Sequence, residues 1–288
     1  MTAEANLTKT LAKAQSIDFV NEFGQNINKL IKMLKLERVM EMPVGSTIKT
    51  YTSTVTLNGG AVAEGDVIPL SEVQVVEGDP IELAWDKRRK AVAAESIQKF
   101  GFDKAIAETD AKLIRELQGN IKKSFFAQLK AGKTTVEGVG LQGAMAKAWG
   151  AVAEKFEDDD VMTIAFINPN DVADYMAKAN ITVQNAFGLK FIENFMGVDV
   201  AVISAGVTAK TVYATAANNL VLAYANMASG EMAKVFDFVT EETGIVGVAH
   251  DINKQRLTAE TVTASATALF AERTDGIVKA TIAEPLGA

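Results

Sequence analysis

Several short stretches of the chain could carry chemistry by residue type and spacing. Gly138-Val-Gly140-Leu-Gln-Gly143 matches the G-x-G-x-x-G of a dinucleotide-binding turn and precedes a helical pattern. That chemistry needs a buried strand before the glycines and an acid closing a second strand about 20 residues on. Here Lys133-Thr-Thr-Val-Glu137 is short and polar, and Asp158, Asp159 and Asp160 come before the next strand instead of ending it. The glycines are expected to form a flexible turn with a close backbone approach. Gly132-Lys133-Thr134 looks like the end of a phosphate loop, but Ala127 stands where the first glycine is needed and the segment follows a helix. Ser96-Ile-Gln-Lys99 has the S-x-x-K spacing of an acyl-enzyme nucleophile without the companion S-D-N and K-T-G motifs. Glu157-Asp158-Asp159-Asp160 offers hard oxygen ligands but lacks the alternation of a cation loop, so a solvated acidic loop is expected. His250 is the only histidine and stands beside Asp251. Neighbours in a strand point to opposite faces, so His250 reads as structural. The absence of cysteine excludes disulfides and thiolate metal sites. No catalytic, cofactor-binding or metal-ligating residue is assigned, and the chain does not read as an enzyme.

The elements that could position function are more informative than these motifs. Ser46-Thr-Ile-Lys-Thr-Tyr-Thr-Ser-Thr-Val-Thr-Leu57 is polar and β-branched, which favours strand. Ten such residues span roughly 33 Å. The run turns through Asn58-Gly59-Gly60 and returns through Glu64-Gly65-Asp66-Val-Ile-Pro69, and a further strand is expected at 81–85. This hairpin has too little apolar surface to pack on its own domain. After it comes one long amphipathic helix over 103–130, with Asp103 as N-cap and Gly132 as the C′ residue. Ile106, Leu113, Leu117, Ile121 and Phe125 form its buried stripe. A weakly anchored hairpin beside a long straight helix suits a subunit that lies against copies of itself.

The flanks are ordinary. The first 16 residues read as an arm, and Val20, Phe23, Ile27, Leu30, Ile31 and Leu34 then mark an N-terminal helix. That stripe suits either its own core or a neighbour. Beyond the long helix, an alternating region holds a helix at 141–155, a buried strand at 161–167 and a short helix capped by Asn168 with Pro169 at its first position. Strands follow at 198–203, 211–214, 220–224, 256–270 and 276–282.

The chain has 288 residues, 48% of them hydrophobic and 23% charged, which is globular composition. No basic, apolar leader opens it and no apolar run reaches membrane-spanning length, so a soluble protein is expected. The net charge of −7 is uneven. Residues 86–133 carry 12 Lys+Arg against 6 Asp+Glu, whereas 134–288 carry 10 against 19. The basic stretch is either an ion-paired solvated face or a strip facing polyanion, with Lys112, Arg115 and Lys122 as its candidate residues. The acidic total argues against tight, sequence-specific nucleic-acid binding.

The order of parts resembles the major capsid proteins of tailed double-stranded DNA bacteriophages, the α+β Hong Kong 97-type fold. The likeness rests on Gly45-Ser-Thr-Ile-Lys-Thr-Tyr51, Glu64-Gly-Asp-Val-Ile-Pro-Leu70, Ile167-Asn-Pro-Asn-Asp171, Met196-Gly-Val-Asp-Val-Ala-Val-Ile203 and Leu269-Phe-Ala-Glu-Arg-Thr-Asp-Gly-Ile-Val278. It implies an N-terminal arm at 1–45 and an extended hairpin, the E-loop, at 46–86. It implies a P-domain with the spine helix at 87–134 and 252–272, and a mixed α/β A-domain at 135–251 and 273–288. Thr50, Tyr51, Thr52, Asn58, Gly59, Gly60, Glu64, Gly65 and Asp66 would then make inter-subunit contacts.

The resemblance further implies a structural protein that assembles with itself, as pentamers and hexamers, into an icosahedral shell around double-stranded DNA. The implied partners are non-specific packaged DNA and the portal and scaffolding proteins, with no membrane and no cofactor. The implied location is the virion, after assembly in the host cytoplasm. Members often carry an N-terminal scaffolding segment, and here the chain begins almost at the arm. Scaffolding is then either a separate protein or already removed. An encapsulin, a nanocompartment shell around a cargo enzyme, shares the fold and is the alternative.

Overall fold

The computed structural model describes residues 7–56, 58, 67, 69–157, 161–177, 183–229 and 231–284. Two long helices organise it. Helix α1 (Leu7–Met33) begins nine residues before the expected end of the arm, so most of that arm is helix. Phe19, Val20, Phe23, Ile27, Leu30 and Leu34 are buried, and Ile31 packs partly buried against them. The stripe therefore serves this chain's own core. Helix α3 (Phe102–Leu129) has 28 residues, about 42 Å at 1.5 Å per residue. Its buried residues step by three and four through Ile106, Leu113, Leu117, Ile121 and Phe125, as its sequence predicts.

The ends of α3 differ from expectation. Asp103 lies in the first turn, and the cap position belongs to Gly101 at φ 83°. That glycine also ends the short helix α2 (Ala94–Phe100): its N–H donates to Ile97 O, and its own carbonyl accepts from Ala105 N. One residue with access to positive φ thus terminates one helix and starts the next. At the far end Gly132 is a residue of close approach, not a left-handed C′. A Cβ there would stand 2.7 Å from Ile277 Cγ2.

A seven-stranded mixed sheet carries the second half of the chain. Its order is β7 (Thr134–Val139), β18 (Val278–Ala283), β12 (Thr211–Ala216), β8 (Thr163–Ile167), β11 (Val198–Ile203), β10 (Leu189–Phe195) and β9 (Gln184–Ala186). Helix α4 (Gly140–Lys155) packs on one face with α5 (Pro169–Met176) beside it, and the other face meets the core shared with α1 and α3. Strand alternation divides the two cores. Ile164 and Phe166 join the α3 side, while Ala165 and Ile167 join the α4 side. A strand buried on both faces reads as continuous apolar sequence, which is why 161–167 is legible.

A four-stranded antiparallel sheet runs β14 (Val239–Thr240), β15 (Val246–Asn253), β16 (Thr258–Ser265) and β6 (Asp86–Ala93). Here α1 packs on β15, and α3 packs on β6. A three-stranded sheet places β13 (Leu220–Tyr224) between β1 (Arg38–Glu41) and β17 (Thr267–Ala271). The predicted single strand over 256–270 is therefore two strands in two sheets, parted at Ala266. Helix α6 (Glu231–Val235) closes the element count. Among the described residues no helix is long and apolar enough to cross a membrane.

The hairpin is two ribbons end to end. At its base β2 (Thr47–Ile48) pairs β5 (Ile81–Glu82), and beyond it β3 (Tyr51–Thr56) pairs β4 (Glu72–Glu77). The returning strand is β4, which the turn-rich 64–69 stretch did not predict. Between the ribbons lies a waist. Gly78 N donates to Thr50 O at 2.7 Å, and a Cβ on Gly78 would meet Thr50 Oγ1 at 2.4 Å.

Candidate functional site

Past the waist, the described side chains of the ribbon are exposed. All six residues of β4 are exposed, and Val73, Val75 and Val76 each leave more than half of their surface open. Val67 and Leu70 are about nine-tenths exposed. From 56 to 77, none of the described side chains joins a hydrophobic cluster, whereas Ile48 and Ile81 below the waist do. An isolated two-stranded ribbon is marginal in water and gains stability only against another surface. Of the residues singled out on it, Thr50 is buried at the waist, and Tyr51 and Thr52 open β3, opposite Glu77 and Val76. Asn58 donates from Nδ2 to Leu70 O at 3.0 Å and from its backbone to Ser71 Oγ at 3.2 Å. Gly59, Gly60, Glu64, Gly65 and Asp66 lie outside the described residues.

The basic segment divides into two populations. On β6, charge is largely answered within the chain. Arg88 pairs with Asp86 at 2.6 Å, Arg89 with Glu260 at 2.6 Å, and Lys90 with Asp110 at 2.7 Å, while Lys87 lies 5.0 Å from the Trp85 ring centre. The Arg89 guanidinium holds the Glu260 carboxyl below the usual range. On α3, Lys112 and Arg115 are exposed, and neither makes an ion pair with a described residue. Lys122, expected to face outward, is half-buried, because its ammonium lies against Phe187 and Gly188, just before β10. Burial pushes its amine below the ordinary lysine pKa.

A buried polar network joins the two long helices to the four-stranded sheet. Ser16 Oγ of α1 lies 2.7 Å from His250 Nδ1, and His250 Nε2 lies 3.1 Å from Asp110 Oδ2 of α3. Asp110 also takes the Lys90 ammonium and a 3.3 Å bond from Thr261 Oγ1. Lys90 is further held by Ile106 O at 3.1 Å and by Thr109 Oγ1. The roles close if Nε2 carries the ring proton and Nδ1 accepts from the serine hydroxyl. Serine, histidine and aspartate in this order have the connectivity of a nucleophile–base–acid triad. Yet Ser16 is 1% exposed and the His250 side chain is 3% exposed. A substrate carbonyl has no route to such a hydroxyl. The network ties α1, α3, β6, β15 and β16 together and is structural. Burial lowers the Lys90 pKa, against which Asp110 acts in the opposite direction.

Sequence reasoning treats His250 as structural but passes over its partners. A signal existed. Asp110 falls on the apolar stripe of α3 between Ile106 and Leu113, where a lone acid needs a buried cation or donor. Asp251 is exposed and accepts from the backbone of Ile252, so it turns away from His250 as strand alternation requires.

The remaining motifs resolve into packing. The strand β7 does run into Gly138-Val-Gly140-Leu-Gln-Gly143 and takes up its first two residues, longer than its polar sequence implies, because β18 pairs with it along its whole length. A Cβ on Gly138 would stand 2.2 Å from Gly143 C and 2.3 Å from Ala144 N, so these glycines let α4 fold back onto its own strand. The close approach is present, and the connection is a direct strand-to-helix junction, not a flexible turn. Ser96 and Lys99 lie on α2, where Lys99 sits 5.1 Å from the Phe100 ring centre. Asn168 caps α5, accepting from Asn170 N at 3.0 Å and donating to Val207 O at 2.7 Å. Among the described residues no His, Asp and Glu cluster could hold a metal ion, and Asp158, Asp159 and Asp160 lie outside them.

No family model matches the chain, and no curated protein matches it by sequence. Solved structures do. The capsid of a native GTA particle is similar with a TM-score of 0.57 at 10% identity, over 88% of this chain and 90% of that one. The capsid of the cyanophage P-SCSP1u gives 0.53 at 10% identity, over 88% of each chain. The SrpI encapsulin of Synechococcus elongatus gives 0.50 at 11% identity, over 87% and 86%. The likeness runs through nearly the whole of each chain. This protein has the capsid-type α+β fold of the Hong Kong 97 kind.

Proposed function

We propose that the chain is a shell subunit, the major capsid protein of a tailed double-stranded DNA bacteriophage. Many copies would enclose the genome in an icosahedral head. The observation that carries this reading is the β3/β4 ribbon. It extends beyond the Thr50–Gly78 waist, and Val73 and Val75 of β4 leave more than half of their surface open. A closed shell built from one chain needs repeated contacts that tolerate small angular differences, and an extended ribbon provides them better than a rigid patch. In this reading residues 46–86 are the inter-subunit loop and 87–134 with 252–272 the P-domain. Residues 135–251 with 273–288 form the A-domain at capsomer centres, and 1–45 is the N-terminal segment. Lys112, Arg115 and Lys122 supply part of a non-specific surface for packaged DNA. Portal and scaffolding proteins are further partners, and the virion is the site of action.

The encapsulin likeness supports a second reading, a shell around a protein cargo. Particle contents discriminate: nuclease-protected DNA supports the first and a co-purifying enzyme the second. For either shell, removing residues 58–65 should leave a folded subunit with an unchanged unfolding midpoint and abolish particles. If the deletion lowers the unfolding free energy by more than about 2 kcal/mol, the hairpin belongs to the core after all.

A further inference from the structure

A cleft of about 510 Å³ opens between the second half of α3, the start of β10 and the loop after β11. Three lysines line it: Lys122 and Lys123 from the helix and Lys190 from the strand. None of them makes an ion pair with a described residue. This occurs in a chain whose 36 acids outnumber its 29 bases, and whose β6 cations are mostly matched. Lys122 is the telling member. An ammonium has three donors, and among the described residues this one meets Phe187, whose O is at a long 3.4 Å and whose ring centre is at 5.9 Å. Its pKa is pushed down by burial with no carboxylate opposing the shift. A half-dehydrated cation of this kind gains more from an arriving anion than an exposed one does.

The walls leave room for that anion. Gly188 has φ +67°, and a Cβ there would come within 3.4 Å of Lys122 Nζ. A Cβ on Gly119 would meet nothing within 4 Å. Phe126, Leu189 and Ile203 complete the lining with apolar surface, which strengthens any charge pair formed beside it. We infer that this cleft binds phosphate groups of a polyanion backbone, with Lys122, Lys123 and Lys190 as its ligands. Three separate ammonium groups read charge, not sequence, which suits phosphodiesters on a flexible strand. The inference refines the DNA contact proposed above and rests on it only for the identity of the polyanion inside a particle.

The test uses unassembled full-length subunit, separated from particles by size exclusion, and a fluorescent dT12 strand read by anisotropy. Each phosphate contact adds about 0.7 to the magnitude of the log–log salt slope on single strands. Removing three contacts in Lys122→Met/Lys123→Gln/Lys190→Gln should therefore reduce that magnitude by about 2. At 50 mM salt the variant should bind at least about tenfold more weakly. Lys190→Glu alone, at an exposed position, should weaken binding without touching the fold. The control Lys254→Gln/Arg256→Gln, at two exposed bases outside the cleft, should change affinity less than the triple variant. An unchanged slope in the triple variant, or an equal loss in the control, overturns the assignment. Inorganic phosphate that displaces the strand at micromolar concentration would reassign the cleft to a free phosphate and also overturn it. Electron microscopy of the same variants keeps the two readings apart, since cleft variants should still form shells if the subunit reading holds.

Discussion

Replacing Asp110 by alanine tests the internal logic of the fold most sharply. The carboxylate faces Lys90 at 2.7 Å, His250 at 3.1 Å and Thr261 at 3.3 Å, and the Lys90 and Asp110 side chains are 14% and 11% exposed. Truncation leaves the ammonium with Ile106 O and Thr109 Oγ1 alone, and leaves His250 Nε2 without its acceptor. Breaking one partner of a buried pair costs about 3–5 kcal/mol, because the other charge remains buried. For a chain of 288 residues a loss of about 4 kcal/mol lowers the midpoint by about 7 °C. Urea and thermal unfolding of the unassembled subunit measure it. Asp110→Leu with Lys90→Met removes both charges at similar volume and should recover most of the loss. About 1 kcal/mol should remain for the histidine bond.

The pH dependence of that variant has a defined sign. The folded-state pKa of Lys90 lies below its unfolded value, so the buried cation opposes folding at neutral pH. The penalty is relieved as pH rises through the folded-state value toward the ordinary lysine range. Without Asp110 the depression deepens, so the gap between variant and wild type should narrow at alkaline pH. A loss under about 1 kcal/mol, or a double variant no better than the single one, would refute a buried, closed network.

Two further outcomes follow from named contacts. Gly138→Ala should cost about 3 kcal/mol or more, since its Cβ would overlap the backbone of Gly143 and Ala144, and a thermal melt reports it. Glu260 is held below the usual carboxylate range by Arg89, so its contribution is present above that range and lost as pH falls through the depressed value. Glu260→Gln should therefore flatten the acid limb of the stability profile, by no more than about 1 kcal/mol because Arg89 is half exposed.

Elements with a strong period are legible in this sequence, and those defined by partners are not. Helix α3, helix α4 and the strands β8, β11 and β13 announce themselves through stripes or apolar runs. Strand β4 does not, because Glu72-Val-Gln-Val-Val-Glu77 has no buried face in its own chain to impose alternation. Strand β6 does not, because the bases of its Asp-Lys-Arg-Arg-Lys opening are answered by its own Asp86 and by Glu260 and Asp110 on other elements. The network around His250 assembles positions 16, 90, 110, 250 and 261, a separation that no local spacing rule reaches. Lys122 is visible as a base, but its half-burial depends on Phe187 and Gly188 across the fold. The Gly138-Val-Gly140-Leu-Gln-Gly143 junction is read correctly as a close approach, since a small-residue pattern constrains backbone distance even where it fails as a nucleotide signature.

The central claim is that this chain completes itself only against copies of itself. Negative-stain electron microscopy of the purified protein, with its sedimentation measured on the same sample, tests this most directly. Closed shells of uniform size are expected, or capsomers of five and six subunits that convert to shells. A monodisperse monomer across a wide range of protein and salt concentration would contradict it.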